Sequence, residues 1–209
     1  DFQILDLGAE VTSELAQTFL ALLALSESRW DTAQLLYLFE QPSFQRKFEL
    51  CEADYTSIRN WTLHTNIYWG EDLAHRNELL KRFHCRLEMA EESEIGTWKY
   101  GITRLLLGLT HLLENETAST LQMQPCSIAN FTDAELLGKW IELLHSLRDD
   151  LSPLHDETKM SIEDWGFYLK SLLESYLKAD FEDRQSLEEW EELQTHLLKL
   201  KSPIEEASP

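Results

Sequence analysis

The sequence predicts an all-α protein, and two observations predict it. Apolar residues recur at the helical period of 3.6 from one end to the other. No convincing run of alternating residues and no Asn-Gly or Asp-Gly hairpin dipeptide interrupts them. With 43% hydrophobic residues, among them seven Trp, six Tyr and nine Phe, a chain of 209 residues has enough apolar surface for a sizeable core. The expected architecture is an irregular multi-helix bundle.

The elements follow in order. A first helix is expected over 11–25, with Leu15, Phe19, Leu22 and Leu23 on one side. Asp31 followed by Gln34 reads as a capping box for a helix through Phe39, and Pro42 bars its continuation, so 43–48 is expected to be a short turn. A helix over 52–65 turns Tyr55, Ile58 and Trp61 inward. The stretch "NIYWGEDLAHR" leads to a partly helical segment that ends in the solvated pair Glu91-Glu92. A helix over 97–113 comes next, then a polar connection over 114–130 of a length uncommon in compact domains.

Three amphipathic helices complete the chain. Thr132 with Glu135 caps the first, whose stripe is Leu137, Trp140, Ile141, Leu144 and Leu147. Ser161 opens the second, with Ile162, Trp165, Leu169, Leu172 and Tyr176 inward. Ser186 with Glu189 boxes the third, with Leu187, Trp190, Leu193, Leu197 and Leu200 inward. Residues 1–209 are accordingly read as one helical domain cut from a longer chain: a first half over 1–113, the connection 114–130, three helices over 131–201 and a frayed tail over 202–209.

The helix over 97–113, "TWKYGITRLLLGLTHLL", contains two glycines, each costing about 1 kcal/mol against alanine in a helix interior. Gly101 and Gly108 stand seven residues apart at the edge of the apolar face made by Trp98, Ile102, Leu105, Leu109 and Leu112. They form a groove into which a helix or a segment of backbone can settle closely. Arg104 and His111 lie just beyond it, so whatever settles there meets a guanidinium, and a carboxylate or backbone carbonyl is the expected partner of Arg104.

No catalytic, cofactor-binding or metal set is legible. Glu142 and His145 have a Glu-x-x-His spacing, but a di-metal bundle site needs two such pairs and two further inward glutamates. His84-Cys85 lacks a second ligand pair. The three cysteines, Cys51, Cys85 and Cys126, are odd in number and widely separated without a C-x-x-C, a pattern that suggests neither a disulfide framework nor a zinc site and fits a reducing compartment. No apolar run approaches the length of a membrane span.

The net charge of −20 repels phosphate, so autonomous nucleic-acid binding is not expected. Residues 1–110 hold ten basic against seventeen acidic side chains and 111–209 hold eight against twenty-one, which places any polyanion contact in the first half. On residues alone the chain is a helical scaffold, with a stand-alone α-helical interaction adaptor as the alternative.

Four stretches, "LAQTFLALLALSESRWDTAQLLYLFEQPSFQRKF", "IYWGEDLAHR", "TWKYGITRLLLG" and "AELLGKW", continued by "SIEDWGFYLKSLL", together resemble the middle of the gamma subunit of bacterial exodeoxyribonuclease V, the RecC family. The resemblance implies a helical region like the 2B subdomain of superfamily 1 helicases, within a subunit that helps to split duplex DNA, guide its strands and recognise Chi. It implies a cytoplasmic hydrolase complex for recombination and repair, whose motors and nuclease site belong to the alpha and beta chains, and no cofactor for this region. Trp69, Gly70, His75, Arg76, Trp98, Tyr100, Gly101, Arg104, Leu107 and Gly108 fall on the family's recurrent positions and are expected to define the fold. Arg29, Arg76 and Arg104 are the candidates for a nucleic-acid or subunit contact, with DNA reached through the whole complex.

Overall fold

The computed structural model describes residues 13–82, 93–111, 123–155 and 159–200, and every regular element among them is helical. The elements are α1 (Glu14–Ala24), α2 (Thr32–Glu40), α3 (Pro42–Phe48), α4 (Glu52–His64), α5 (Leu73–Arg82), α6 (Trp98–His111), α7 (Ala134–His155), α8 (Ile162–Tyr176) and α9 (Arg184–Leu198). Short 3-10 turns follow α1 at Leu25–Glu27 and precede α7 at Phe131–Asp133. The start of the first expected helix, the pair His84-Cys85, Glu91-Glu92, most of the polar connection and the tail lie outside the described residues.

Several expected boundaries move for local reasons. The segment read as a turn over 43–48 is the helix α3. Pro42 ends α2, with Gln41 extended at ψ 134°, and then serves as the first residue of the next helix, where its missing N–H has no cost. Asp31 stands at the N-cap of α2 but its carboxylate turns to Arg29, leaving only its carbonyl to accept Gln34 and Leu35 N–H. The start before α7 is Asn130 with Asp133, whose carboxylate accepts the Asn130 N–H at 2.8 Å, instead of Thr132 with Glu135. Helix α9 begins a turn before the expected Ser186: Asp183 accepts Gln185 and Ser186 N–H, while the Ser186 hydroxyl accepts the Asp180 N–H at 2.9 Å. Ser161 caps α8 as read, accepting the Asp164 N–H at 3.1 Å.

Helix α7 runs through the middle of the bundle, burying Leu137, Trp140, Leu143, Leu144, Leu147 and Leu151. Full burial of each such side chain contributes about 1.5–3 kcal/mol. Trp140 meets Trp61 of α4 and Trp98 of α6, both at centroid distances of 5.9 Å, so one ring joins three helices. A second aromatic row, Phe39, Phe44, Phe48 and Tyr176, ties α2 and α3 to α8. Pro153 sits inside the last turn of α7 and cannot donate to the Asp149 carbonyl, which accepts the Ser152 hydroxyl at 2.8 Å instead.

The C-terminal helix is peripheral. Leu187, Trp190, Leu193 and Leu197 are only partly buried, no residue of α9 is fully enclosed, and Leu200 is exposed. Ile162, expected inward, is also exposed, because α8 enters the core only from Gly166 onward. Among the described residues no helix is long and apolar enough to cross a membrane.

Candidate functional site

The glycine helix α6 starts with Thr97, whose hydroxyl accepts the Tyr100 N–H at 3.1 Å and donates to the Glu94 carbonyl at 2.8 Å. Both glycines are contact points. A Cβ on Gly101 would stand 2.3 Å from Ile67 Cγ1, and one on Gly108 would stand 2.1 Å from the Cys126 carbonyl oxygen. The groove therefore holds two different chain segments, the turn after α4 and the strand of backbone before α7. Arg104 fastens both: Nε donates to the Gln124 carbonyl at 2.8 Å, Nη1 donates to the Thr65 carbonyl at 3.1 Å, and its own carbonyl accepts the Cys126 N–H at 2.9 Å. Of the two partner types expected for its guanidinium, a carboxylate or a backbone carbonyl, the described residues supply backbone carbonyls. The side chain of His111 lies outside the described residues.

A second set of contacts knots three loops at the N-terminal end of α6. The Gly70 N–H donates to Arg29 O at 2.8 Å, and the Gly70 carbonyl accepts the Trp98 N–H at 3.0 Å. The Trp98 indole donates to Trp30 O at 2.8 Å, and the Gly96 carbonyl accepts the Tyr68 N–H at 2.9 Å. Gly70 and Gly96 take positive φ of 80° and 82°, which only glycine adopts without strain. Trp30 adopts φ 57° despite its bulk, a conformation that costs about 1–2 kcal/mol and persists where the surroundings over-determine it. Here the surroundings are its buried ring and the carbonyl held by Trp98.

Arg76 is the pin of the knot. It is buried, and its two terminal nitrogens donate to the carbonyls of Trp69 at 2.8 Å, Ile95 at 2.9 Å and Ser93 at 3.2 Å. Its guanidinium lies 4.6 Å from the centre of the Trp69 ring, and Arg29 lies 5.7 Å from it. Gly70 makes room for this side chain, since a Cβ there would press on Arg76 Nε at 3.3 Å. Burial lowers the Arg76 pKa from its ordinary value, and carbonyl dipoles and a π-face stand where a carboxylate is usual. Arg29 is exposed and paired with Asp31 at 3.2 Å.

Beside the knot, Glu71 is partly enclosed between α5 and α7. Burial raises its pKa, and the ion pair with Arg148 opposes that rise. The Glu71 N–H donates to His75 Nδ1 at 3.2 Å and its carbonyl accepts the Lys99 N–H at 2.9 Å, so the residue links the starts of α5 and α6. Glu71, Arg148, Thr65 and Gly96 escaped the reading of the sequence. Gly96 alone carried a signal, as a glycine immediately before the capping threonine of a helix.

Among the described residues no group of three or more His, Cys, Asp or Glu is placed to hold a metal ion, and Glu142 and His145 lie exposed on α7. Arg76 and Arg104 bind backbone, and the motif tryptophans and glycines bring segments together. The fold is an all-α bundle in which these residues fasten loops to one helix, α6.

A family model of the fourth domain of the RecBCD enzyme subunit RecC matches residues 12–208, and the chain belongs to that family. It is 28% identical over 191 residues to the RecBCD enzyme subunit RecC of Buchnera aphidicola from Acyrthosiphon pisum, covering 90% of this chain and 16% of that protein. Against the subunit of Escherichia coli K12 the figures are 25% over 186 residues, 89% and 15%. Against that of Mycobacterium tuberculosis H37Rv they are 27% over 153 residues, 72% and 13%. The chain thus spans about one sixth or less of the length of these relatives.

Proposed function

We propose that this chain is a non-catalytic framework region of the gamma subunit of a cytoplasmic exodeoxyribonuclease V, built like a helicase 2B subdomain and forming one helical domain over 1–209. It braces surfaces of the complex that split duplex DNA, guide the strands and recognise Chi, while hydrolysis belongs to the alpha and beta chains. The observation that carries this reading is the use of Arg76 and Arg104: five guanidinium hydrogen bonds go to backbone carbonyls, which is the work of a fastener and not of a phosphate ligand. Of the three candidate contact arginines, Arg29 alone has a largely exposed side chain.

The test is made in the full-length subunit co-expressed with its partner chains. Gly108→Val and Arg76→Lys are expected to reduce the yield of assembled complex and DNA unwinding in equal proportion, because both act through the fold. Complexes carrying either substitution that assemble at the normal yield but fail to unwind DNA would overturn the framework reading.

A further inference from the structure

A cleft of about 360 Å³ opens between α3, α4, α7 and α8, and none of the residues of the hydrogen-bonded knot lines it. Its walls are apolar, from Phe48, Leu50, Ile58 and Leu143. Phe48 and Tyr176 line it with their rings 6.0 Å apart, and the Tyr176 hydroxyl donates to Asp150 Oδ2 at 2.7 Å. Its mouth is acidic. Asp150 has a second carboxylate oxygen, Oδ1, without a partner among the described residues, and Glu142 on the same side of α7 forms no hydrogen bond or ion pair there. Lys139 at the far end is already paired with Glu135 at 2.8 Å, and its proton is held first by that carboxylate and further by the charges of Glu49 and Asp54.

We propose that this cleft receives an arginine-bearing segment of a partner protein, with an adjacent apolar side chain between Phe48, Ile58 and Leu143, the guanidinium at Asp150, and Glu142, about two turns away on α7, adding to the negative field of the slot. Charge complementarity selects this occupant. Two carboxylates with no counter-ion among the described residues flank an apolar slot on a chain of net charge −20, so a cation gains from the field while a phosphate or an acidic peptide is repelled. The aliphatic stem of arginine packs against apolar walls while its planar head meets a carboxylate in two-point contact. The volume admits one or two side chains, which suits an anchor residue and its neighbour. The proposal rests on the framework reading only for the idea that the partner is another protein of the assembly.

The test uses the 209-residue chain with two small probes, 4-phenylbutylguanidinium and its neutral isostere 4-phenylbutylurea, followed by saturation-transfer NMR and by the shifts of Ile58 and Leu143 methyls. The guanidinium is expected to bind about fivefold tighter than the urea, the range of a solvent-exposed ion pair. Asp150→Asn with Glu142→Gln is expected to abolish that preference, and Ser146→Trp, which fills the slot from α7, to abolish binding of both. Circular dichroism and melting temperature verify that each variant is folded. Equal binding of the two probes, a preference that survives the double substitution, or binding unaffected by Ser146→Trp would overturn the proposal. So would self-association of the chain relieved by Ser146→Trp, which would make a second copy the occupant. The readout is binding to the chain alone, so its failure is distinct from a failure of complex assembly in the Gly108 and Arg76 variants.

Discussion

Gly108 and Gly138 are both helical glycines, yet they answer to opposite constraints. A methyl group on Gly108 meets a backbone carbonyl at 2.1 Å, whereas one on Gly138 meets nothing within 4 Å. Gly108→Ala must push the segment before α7 away from α6 and is expected to lower stability by about 2 kcal/mol. Gly138→Ala removes a flexible residue from an open helix face and is expected to raise stability by about 0.5–1 kcal/mol. Urea denaturation of the two variants beside the parent chain measures both, and a stabilised Gly108→Ala would mean that the close approach does not exist. A titrating residue gives a second prediction. Burial raises the Tyr168 hydroxyl pKa to about 12, and burial followed by the hydrogen bond to Asp150 raises that of Tyr176 further. In the unfolded chain tyrosine ionises near pH 10. A pKa raised by folding gives stability that is present below about pH 10 and lost as pH climbs through the folded value. Melting temperatures should therefore fall between about pH 10 and 12, and Tyr176→Phe should flatten that decline while costing stability at neutral pH by the loss of its bond to Asp150. An unchanged alkaline slope in Tyr176→Phe would contradict this assignment.

At the scale of elements, the helices differ in how firmly they are held. Helix α7 contributes six buried apolar side chains, and α9 contributes none. What seats α9 is Gly166 of α8, where a Cβ would stand 2.5 Å from the Leu197 carbonyl, together with the Ser13 hydroxyl donating to Glu189 at 2.7 Å. Amide hydrogen exchange is expected to be fastest in α9 and slowest in the middle of α7, since local opening follows the apolar area that must be exposed. Gly166→Val should speed exchange in α9 alone; a uniform rise across all helices would show that α9 is part of the main cooperative unit. The elements were also the most legible layer in the sequence. Periodicity located α4 and α6 to within two residues at the termini described, and the Ser161 cap located α8. Helix α3 was hidden because Pro42 is both a stop and a start, and only the path of the chain after Gln41 decides which. The start of α9 was hidden because Asp183 and Ser186 are both good caps, and Ser186 was taken by the Asp180 N–H.

For the whole molecule the governing quantity is charge. A net −20 on 209 residues repels itself, so added salt should stabilise the chain by screening, with melting temperature rising between low ionic strength and about 0.15 M, where the Debye length is about 8 Å. The same field opposes DNA. Fluorescence anisotropy with duplex and single-stranded oligonucleotides at physiological salt is expected to show no tight binding by the 209-residue chain, and submicromolar affinity would reveal a basic surface that the described residues do not display.

The sequence by itself determined the helical class, most of the inward stripes, and the fact that Gly101, Gly108 and Arg104 face a closely approaching segment, because each is a local property of periodicity, residue size and donor geometry. Which segments approach was decided only in three dimensions. Ile67 and Cys126 reach α6 from opposite directions along the chain, and Arg76 finds the carbonyls of Trp69, Ser93 and Ile95 across loops that meet only once the bundle has closed. A backbone carbonyl is present at every residue and so leaves no mark in the alphabet of side chains, which is why a carbonyl partner for Arg104 could be expected but the particular carbonyls could not be named.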